Sequence, residues 1–175
     1  MLSGMSLEAF SAYWLQAFAA IMLAGDFSEA STYESKENLE LAISGHEMDT
    51  LVMGTFYVKP NYPGRSSHIC NAGFLVSPFH RGIGVGRLLG EAYLDYAPKL
   101  GYEYSVFNLV YETNVASTKI WDALGFQKIG RIPGAGNLKS FPGERIDAIV
   151  YGKRFDEQEV SGEKEPEGRP QVIGI

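Results

Sequence analysis

The amino-acid sequence predicts an α/β domain built on a mixed central sheet. Three observations carry that prediction. Between residues 67 and 132, runs rich in β-branched and aromatic residues alternate with stretches of helical periodicity, in the order strand, helix, strand, helix, strand. Residues 71–89, NAGFLVSPFHRGIGVGRLL, pass from an apolar strand through a proline turn and a loop carrying Gly82, Gly84 and Gly86 into the start of a helix. The length of 175 residues, 45% of them apolar, fits one soluble domain large enough to bury a core.

In chain order, Leu7, Phe10, Tyr13, Trp14 and Phe18 recur at three- and four-residue intervals, so residues 6–16 are expected to form an amphipathic helix with Ser6 as N-cap. Residues 18–23 continue that helix or form a buried strand, and the strand is preferred. Residues 25–49 are rich in Ser, Glu, Gly and Asn and read as an exposed excursion with a weak helical segment at 38–43. The run TLVMGTFYVK at 50–59 is a strand ending at Pro60, before the turn-prone NYPG. Residues 67–76 form its antiparallel partner.

A helix is expected over 84–100, with Leu88, Leu89, Ala92, Tyr93, Tyr96, Ala97 and Leu100 on one face and Gly101 ending it. YSVFNLVY at 104–111 is a strand, 115–124 a helix closed by Gly125, and 126–132 a strand. A Gly/Pro-rich loop at 133–143 leads to a last strand at 146–152. The domain is thus expected to occupy residues 1–155. Residues 156–175 form a charged tail without regular structure.

Composition narrows the function. The net charge is -6, with no run of lysine or arginine of the kind that tracks nucleic-acid phosphates, so nucleic acid is a poor candidate partner. No apolar stretch reaches the roughly 20 residues of a membrane helix. The apolar N-terminus lacks basic residues ahead of its hydrophobic part and contains Glu8, which makes it a poor signal peptide. Cys70 is the single cysteine, so neither an intrachain disulfide framework nor a multi-thiolate metal site can form. A reducing interior is the expected setting, the cytoplasm first and mitochondria second, with no metal.

The glycine loop describes an anion cradle. Glycines let a ligand approach the backbone, and the first amides of the following helix have no intrahelical partner. A P-loop would require Gly-Lys-Ser/Thr, where this chain has Gly86-Arg87-Leu88. A dinucleotide loop would place an acid at the end of the next strand, whereas Glu103 precedes it. The third reading is R-x-x-G-x-G/A, met by Arg81, Gly82, Ile83, Gly84, Val85 and Gly86. It resembles the acyl-CoA pyrophosphate loop of the GCN5-related N-acetyltransferases (GNAT superfamily). Asn114, Ser117, Trp121, Gly125 and Phe126 in NVASTKIWDALGF resemble a second motif of that superfamily, N-x-x-A-x-x-x-Y-x-x-x-G-F.

The segments GTFYVKPNYPGRSSHICNAGFLV, GYEYSVFNLVYETNVASTKIWD and IDAIVYGK resemble, more narrowly, fungal N-acetyltransferases that acetylate proline analogues such as azetidine-2-carboxylate. Members of that group carry a further N-terminal segment with the first strand of the fold, which this chain starts too late to supply. The sheet is therefore expected to lack an edge or to represent a shortened form.

The resemblance implies a sheet whose two central strands splay and admit the pantetheine arm of acetyl-CoA. The backbone at Phe74, Leu75 and Val76 would pair with it, and the pyrophosphate would rest on the amides from Gly82 to Arg87. Arg81 and Arg87 add charge. Asn114 would serve both as an N-cap and as a cofactor neighbour together with Ser117. Trp121 stands where many relatives use a tyrosine acid, and an indole N–H cannot protonate a thiolate at neutral pH. It is either a cofactor contact or a core aromatic.

The strand before the loop carries no carboxylate base. Asn71 is its polar residue, and Asn108 is a second polar intrusion, in SVFNLV. By resemblance the two hold an amino-acid substrate, with the backbone at Leu109 on its carboxylate; the alternative is a pair of structural asparagines. His68 and His80 read as structural or solvated, and Cys70 as a buried small residue. Glu112 is either a base or a solvated strand end. The implied activity is acetyl transfer from acetyl-CoA to the amine of a small amino acid by direct attack in a ternary complex. Acetylation of another amine or a peptide N-terminus, and a non-catalytic acyl-CoA-binding module, are the alternatives. Related enzymes often form dimers.

Overall fold

The computed structural model describes residues 18–23, 47–155 and 172–174. The helix expected at 6–16 and residues 25–46 of the expected excursion lie outside them. The chain divides into two compact units, one drawn from residues 1–58, 73–89 and 162–175, the other from residues 59–72 and 90–161.

In the first unit, β1 (Phe18–Leu23) runs antiparallel to β2 (Val52–Pro60), with Phe18 opposite Val58 and Ala20 opposite Phe56. The apolar run at 18–23 is thus the preferred strand. β2 starts two residues later than its β-propensity suggests. Thr50 and Leu51 close a one-turn helix, α1 (Met48–Leu51), in which Thr50 Oγ1 donates to the Glu47 carbonyl at 2.8 Å. On the far side of β1 lies β7 (Val172–Gly174), antiparallel, with Ala20 opposite Gly174. This strand comes from the tail expected to lack regular structure. The C-terminal half of β3 (Ile69–Val76) follows β2, and the Ser77 amide donates to the Met53 carbonyl at 2.9 Å. Phe56 is fully buried between Phe74 and Phe18, with ring centroids 5.8 and 6.4 Å away. Burying a side chain of that size is worth about 2–3 kcal/mol.

The second unit orders its strands as the N-terminal half of β3, then β4 (Tyr104–Tyr111), β6 (Ile146–Arg154) and β5 (Gln127–Gly136). β3 and β4 are parallel; the other pairs are antiparallel. Two helices complete the list: α2 (Val85–Lys99), which begins in the first unit and continues here, and α3 (Val115–Ala123). On α2, Leu89, Tyr93 and Ala97 lie four residues apart and are completely buried, which is the apolar stripe the periodicity requires. Phe107 stacks against Trp121 and Phe126 at 4.5 and 4.9 Å and meets Tyr93 at 5.7 Å.

β5 runs four residues past its expected end at Ile132. Pro133, Gly134 and Ala135 bulge opposite Asp147, whose Oδ1 accepts the Gly134 amide at 2.7 Å. The bulge lets the strand pass a proline that would otherwise end it.

Candidate functional site

The glycine loop stands in the first unit. After a 3₁₀ turn at Pro78–His80, Arg81 adopts an extended conformation, and Gly82 and Gly84 follow at φ of 79° and 94°. Those angles are in the left-handed region that side chains with a Cβ avoid. At both positions the space a Cβ would occupy is open, so the backbone is approachable from outside. The amides of Arg87 and Leu88 bond to the Gly84 carbonyl at 3.0 and 3.1 Å, and the helix ladder starts there. Val85 and Gly86 are therefore the first helical residues, whose amides have no acceptor within the helix. Val85 is buried and pins the helix end, whereas Arg81, Ile83 and Arg87 are exposed. Phe74 and Val76 are half-buried and Leu75 is exposed, on the strand that leads into the loop.

The second cluster lies wholly in the second unit. The parallel ladder between β3 and β4 there consists of two pairs, Ile69 with Tyr104 and Cys70 with Ser105. Asn71 and Ala72 have no partner on β4 within the unit. Where backbone pairing stops, three side-chain amides take over. Asn71 Nδ2 donates to Asn61 Oδ1 at 3.1 Å, Asn108 Nδ2 donates to the same oxygen at 2.6 Å, and Asn61 Nδ2 donates back to Asn108 Oδ1 at 3.2 Å. All three are half-buried, and each has at least one amide partner within the cluster.

A β-bulge aims Asn108. Phe107 pairs with Tyr151 and Val110 with Ile149, so Asn108 and Leu109 together face the single residue Val150. The bulge breaks the alternation of β4, leaving Leu109 52% exposed between half-buried Asn108 and buried Val110. Asn71 and Asn108, joined at the sequence level by resemblance, both bond to Asn61, which the sequence did not single out and which looked like part of a turn after Pro60. Its backbone amide donates to the Ile69 carbonyl at 2.8 Å, tying that turn to the start of β3.

The remaining candidates fall in less reactive places. Asn114 is an N-cap: its Oδ1 accepts the Ser117 amide at 3.2 Å. Trp121 is 6% exposed, with its ring packed against Phe107 and Phe126. Cys70 is fully buried 3.0 Å from the Tyr93 hydroxyl, which donates to Ser105 Oγ at 2.6 Å. Burial pushes the Cys70 thiol up to about 11 and Tyr93 well above its ordinary value, so neither ionises near neutral pH. Glu112 is occupied by Arg131, whose Nη2 lies 3.0 Å from it and 2.9 Å from Asp147. His68 is exposed, and the half-buried His80 has its Nδ1 sealed without a hydrogen bond among the described residues. Among the described residues no group of three metal-ligating side chains occurs, and no helix is long and apolar enough to cross a membrane.

Comparison with known proteins agrees with this arrangement. The sequence model of the Acetyltransferase (GNAT) family matches residues 8–126. Over 116 residues, 66% of the chain, it is 51% identical to the N-acetyltransferase aca1 of Schizosaccharomyces pombe, and the match spans 55% of that protein's length. The chain thus spans about half the length of this curated relative. A GCN5-related N-acetyltransferase from Kribbella flavida superposes with a TM-score of 0.57 at 25% identity, over 78% of this chain and 97% of that one. yncA from Salmonella typhimurium, solved with its cofactor acetyl-CoA, shares the fold at a TM-score of 0.55 and 24% identity, over 62% of this chain and 61% of that one. A family match over most of the chain, on a fold with an open glycine loop at a helix start, shows that this protein belongs to the GNAT acetyltransferase family.

Proposed function

We propose that this chain transfers an acetyl group from acetyl-CoA to the amine of a small amino acid, a proline analogue such as azetidine-2-carboxylate, by direct attack in a ternary complex. The observation that carries the acetyl-CoA part is the open backbone at Gly82 and Gly84 leading into α2. The amides from Gly82 to Arg87 would hold the pyrophosphate, helped by the positive end of the helix and by Arg81 and Arg87. The backbone of Phe74, Leu75 and Val76 would take the pantetheine arm. Asn114 and Ser117, at the start of α3 in the second unit, are cofactor candidates by resemblance alone.

The choice of a small neutral amine rests on the asparagine cluster and on resemblance. Asn71 and Asn108 offer hydrogen bonds without charge, and the backbone at the Leu109 bulge would bind the substrate carboxylate. An amide is no general base, so the contribution of Asn71 is positioning of the nucleophile. In the reaction the amine nitrogen bonds to the thioester carbonyl carbon, the C–S bond breaks, and the amine proton leaves to the thiolate or solvent. The buried thiol of Cys70 argues against an acyl-cysteine route. Action in the cytoplasm or mitochondria, as a homodimer that removes toxic analogues, belongs to the same proposal.

The test mixes purified protein with acetyl-CoA and azetidine-2-carboxylate and follows free thiol. Release above the acetyl-CoA background is expected; its absence overturns the substrate claim. The burial of Trp121, in the place of a tyrosine acid, favours a second reading as a non-catalytic acyl-CoA-binding module. Acetyl-CoA binding without turnover across a panel of amines and peptide N-termini would select it.

A further inference from the structure

Asn61 is the partner that the other two amides share. Its Oδ1 accepts from both Asn71 Nδ2 and Asn108 Nδ2, filling both lone pairs of that oxygen. Its own Nδ2 returns a bond to Asn108 Oδ1, so the Asn61 and Asn108 amides form a reciprocal pair. Rotating Asn61 by half a turn would set an NH₂ group against two NH₂ groups. Rotating Asn71 would set two carbonyl oxygens against each other. The three amides therefore lock one another, and the Asn71 amide is coupled to Asn108 only through Asn61. One atom is left over: among the described residues Asn71 Oδ1 accepts no hydrogen bond from the protein and is not sealed from solvent.

We propose that Asn61 is a positioning residue for the acceptor amine, holding Asn71 with its carbonyl oxygen free to accept an N–H of the substrate. This rests on the acetyltransferase reading above. An amine whose N–H is held by Asn71 Oδ1 has its lone pair directed elsewhere, toward an electrophile. If Asn71 were turned, its NH₂ would face the amine lone pair and occupy the electrons needed for attack. Asn61 thus separates a productive from an unproductive orientation without touching the substrate.

The closing experiment measures turnover of acetyl-CoA with azetidine-2-carboxylate for wild type, Asn61→Ala, Asn61→Asp and Asn71→Ala, and for the Asn61→Ala/Asn71→Ala pair. Asn61→Ala is expected to lower kcat/KM for the amine about tenfold and to leave KM for acetyl-CoA within about twofold. Asn61→Asp keeps the oxygen that accepts from Asn71 and Asn108 but sets its second oxygen against Asn108 Oδ1, so turnover between that of Asn61→Ala and wild type is expected. Because Asn61 acts through Asn71, Asn61→Ala in the Asn71→Ala background should add less than about twofold. Wild-type turnover by Asn61→Ala, full additivity in the pair, or an Asp variant no better than the Ala variant would overturn the proposal.

A wild type that releases no thiol with azetidine-2-carboxylate would overturn the substrate claim separately. The side-chain amide resonances of Asn71 in ¹⁵N-asparagine-labelled protein then decide the positioning claim. They should shift and lose exchange protection in Asn61→Ala but not in Asn61→Asp, and unchanged resonances in Asn61→Ala would overturn it.

Discussion

The glycine loop and the asparagine cluster are built in opposite ways. The loop is one continuous stretch whose work is done by backbone amides, exposed and held by positive φ at Gly82 and Gly84. The cluster uses side-chain amides from residues 61, 71 and 108, separated by up to 47 positions, half-buried and bonded to one another. A site for a permanent anion can be made from helix-end amides alone, because the dipole and the unfilled donors are present wherever a helix begins. A site for a neutral amine needs individually oriented donors and acceptors, and orientation comes from partners distant in sequence. The loop therefore tolerates changes in side chain but not in backbone geometry, and the cluster the reverse.

Several measurements would break or sharpen this contrast. The largest effect is expected for Gly84→Val, which forces a β-branched residue to a φ of 94° and closes the open face of the loop. Acetyl-CoA affinity by calorimetry should fall about 100-fold, roughly 3 kcal/mol, and unchanged affinity would remove the loop from the site.

Next in size is an alkaline loss of stability from the thiol beside the cluster. Burial pushes the Cys70 thiol from its ordinary 9.0 up to about 11, so the folded state holds its proton more tightly than the unfolded state. The contribution is fully present below about pH 9 and is lost as pH rises to about 11, amounting to about 2–3 kcal/mol. Urea unfolding at pH 8 and pH 11 should show a steeper loss for wild type than for Cys70→Ala. Parallel losses would show that the thiol is not held as described.

Asn71→Ala should reduce kcat/KM for the amine about thirtyfold, near 2 kcal/mol, with acetyl-CoA affinity within about twofold. If affinity falls equally, the asparagines are structural and the contrast with the loop collapses. The smallest effect is expected for Arg131→Ala. Its ion pairs with Glu112 and Asp147 involve an arginine side chain that is 60% exposed, so thermal unfolding should move by less than about 1 kcal/mol. That variant sets the scale of a surface contact in the unit that holds the cluster.

Much of the fold was legible because its signals are local. The strand at 104–111 announces itself by a β-branched and aromatic run, the apolar run at 18–23 left helix and strand open with strand preferred, and α2 and α3 stop just before Gly101 and Gly125 as their sequences suggest. The misplacements are equally physical. β5 outlasts Ile132 because Asp147, from the neighbouring strand, accepts the Gly134 amide across a bulge. β7 has three residues, too few for periodicity to reveal, and its existence depends on β1 offering an edge. Trp121 could be read as a core aromatic from helical spacing or as a cofactor contact by resemblance, and its tilted and edge-on packing against Phe107 and Phe126 places it in the aromatic core.

By itself the sequence determined the α/β class and the glycine loop with its helix start, and it marked Asn71 and Asn108 each as a polar intrusion in an apolar strand. Each of these depends on residues adjacent in the chain or on a simple period, and backbone preferences and hydrophobic patterning act over that range. Only the tertiary structure decided that Asn61 joins them, that a bulge aims Asn108, and that the β3–β4 ladder within the second unit ends after Cys70 and Ser105. Those features follow from strand register and from hydrogen bonds between side chains far apart in sequence, which no local window contains.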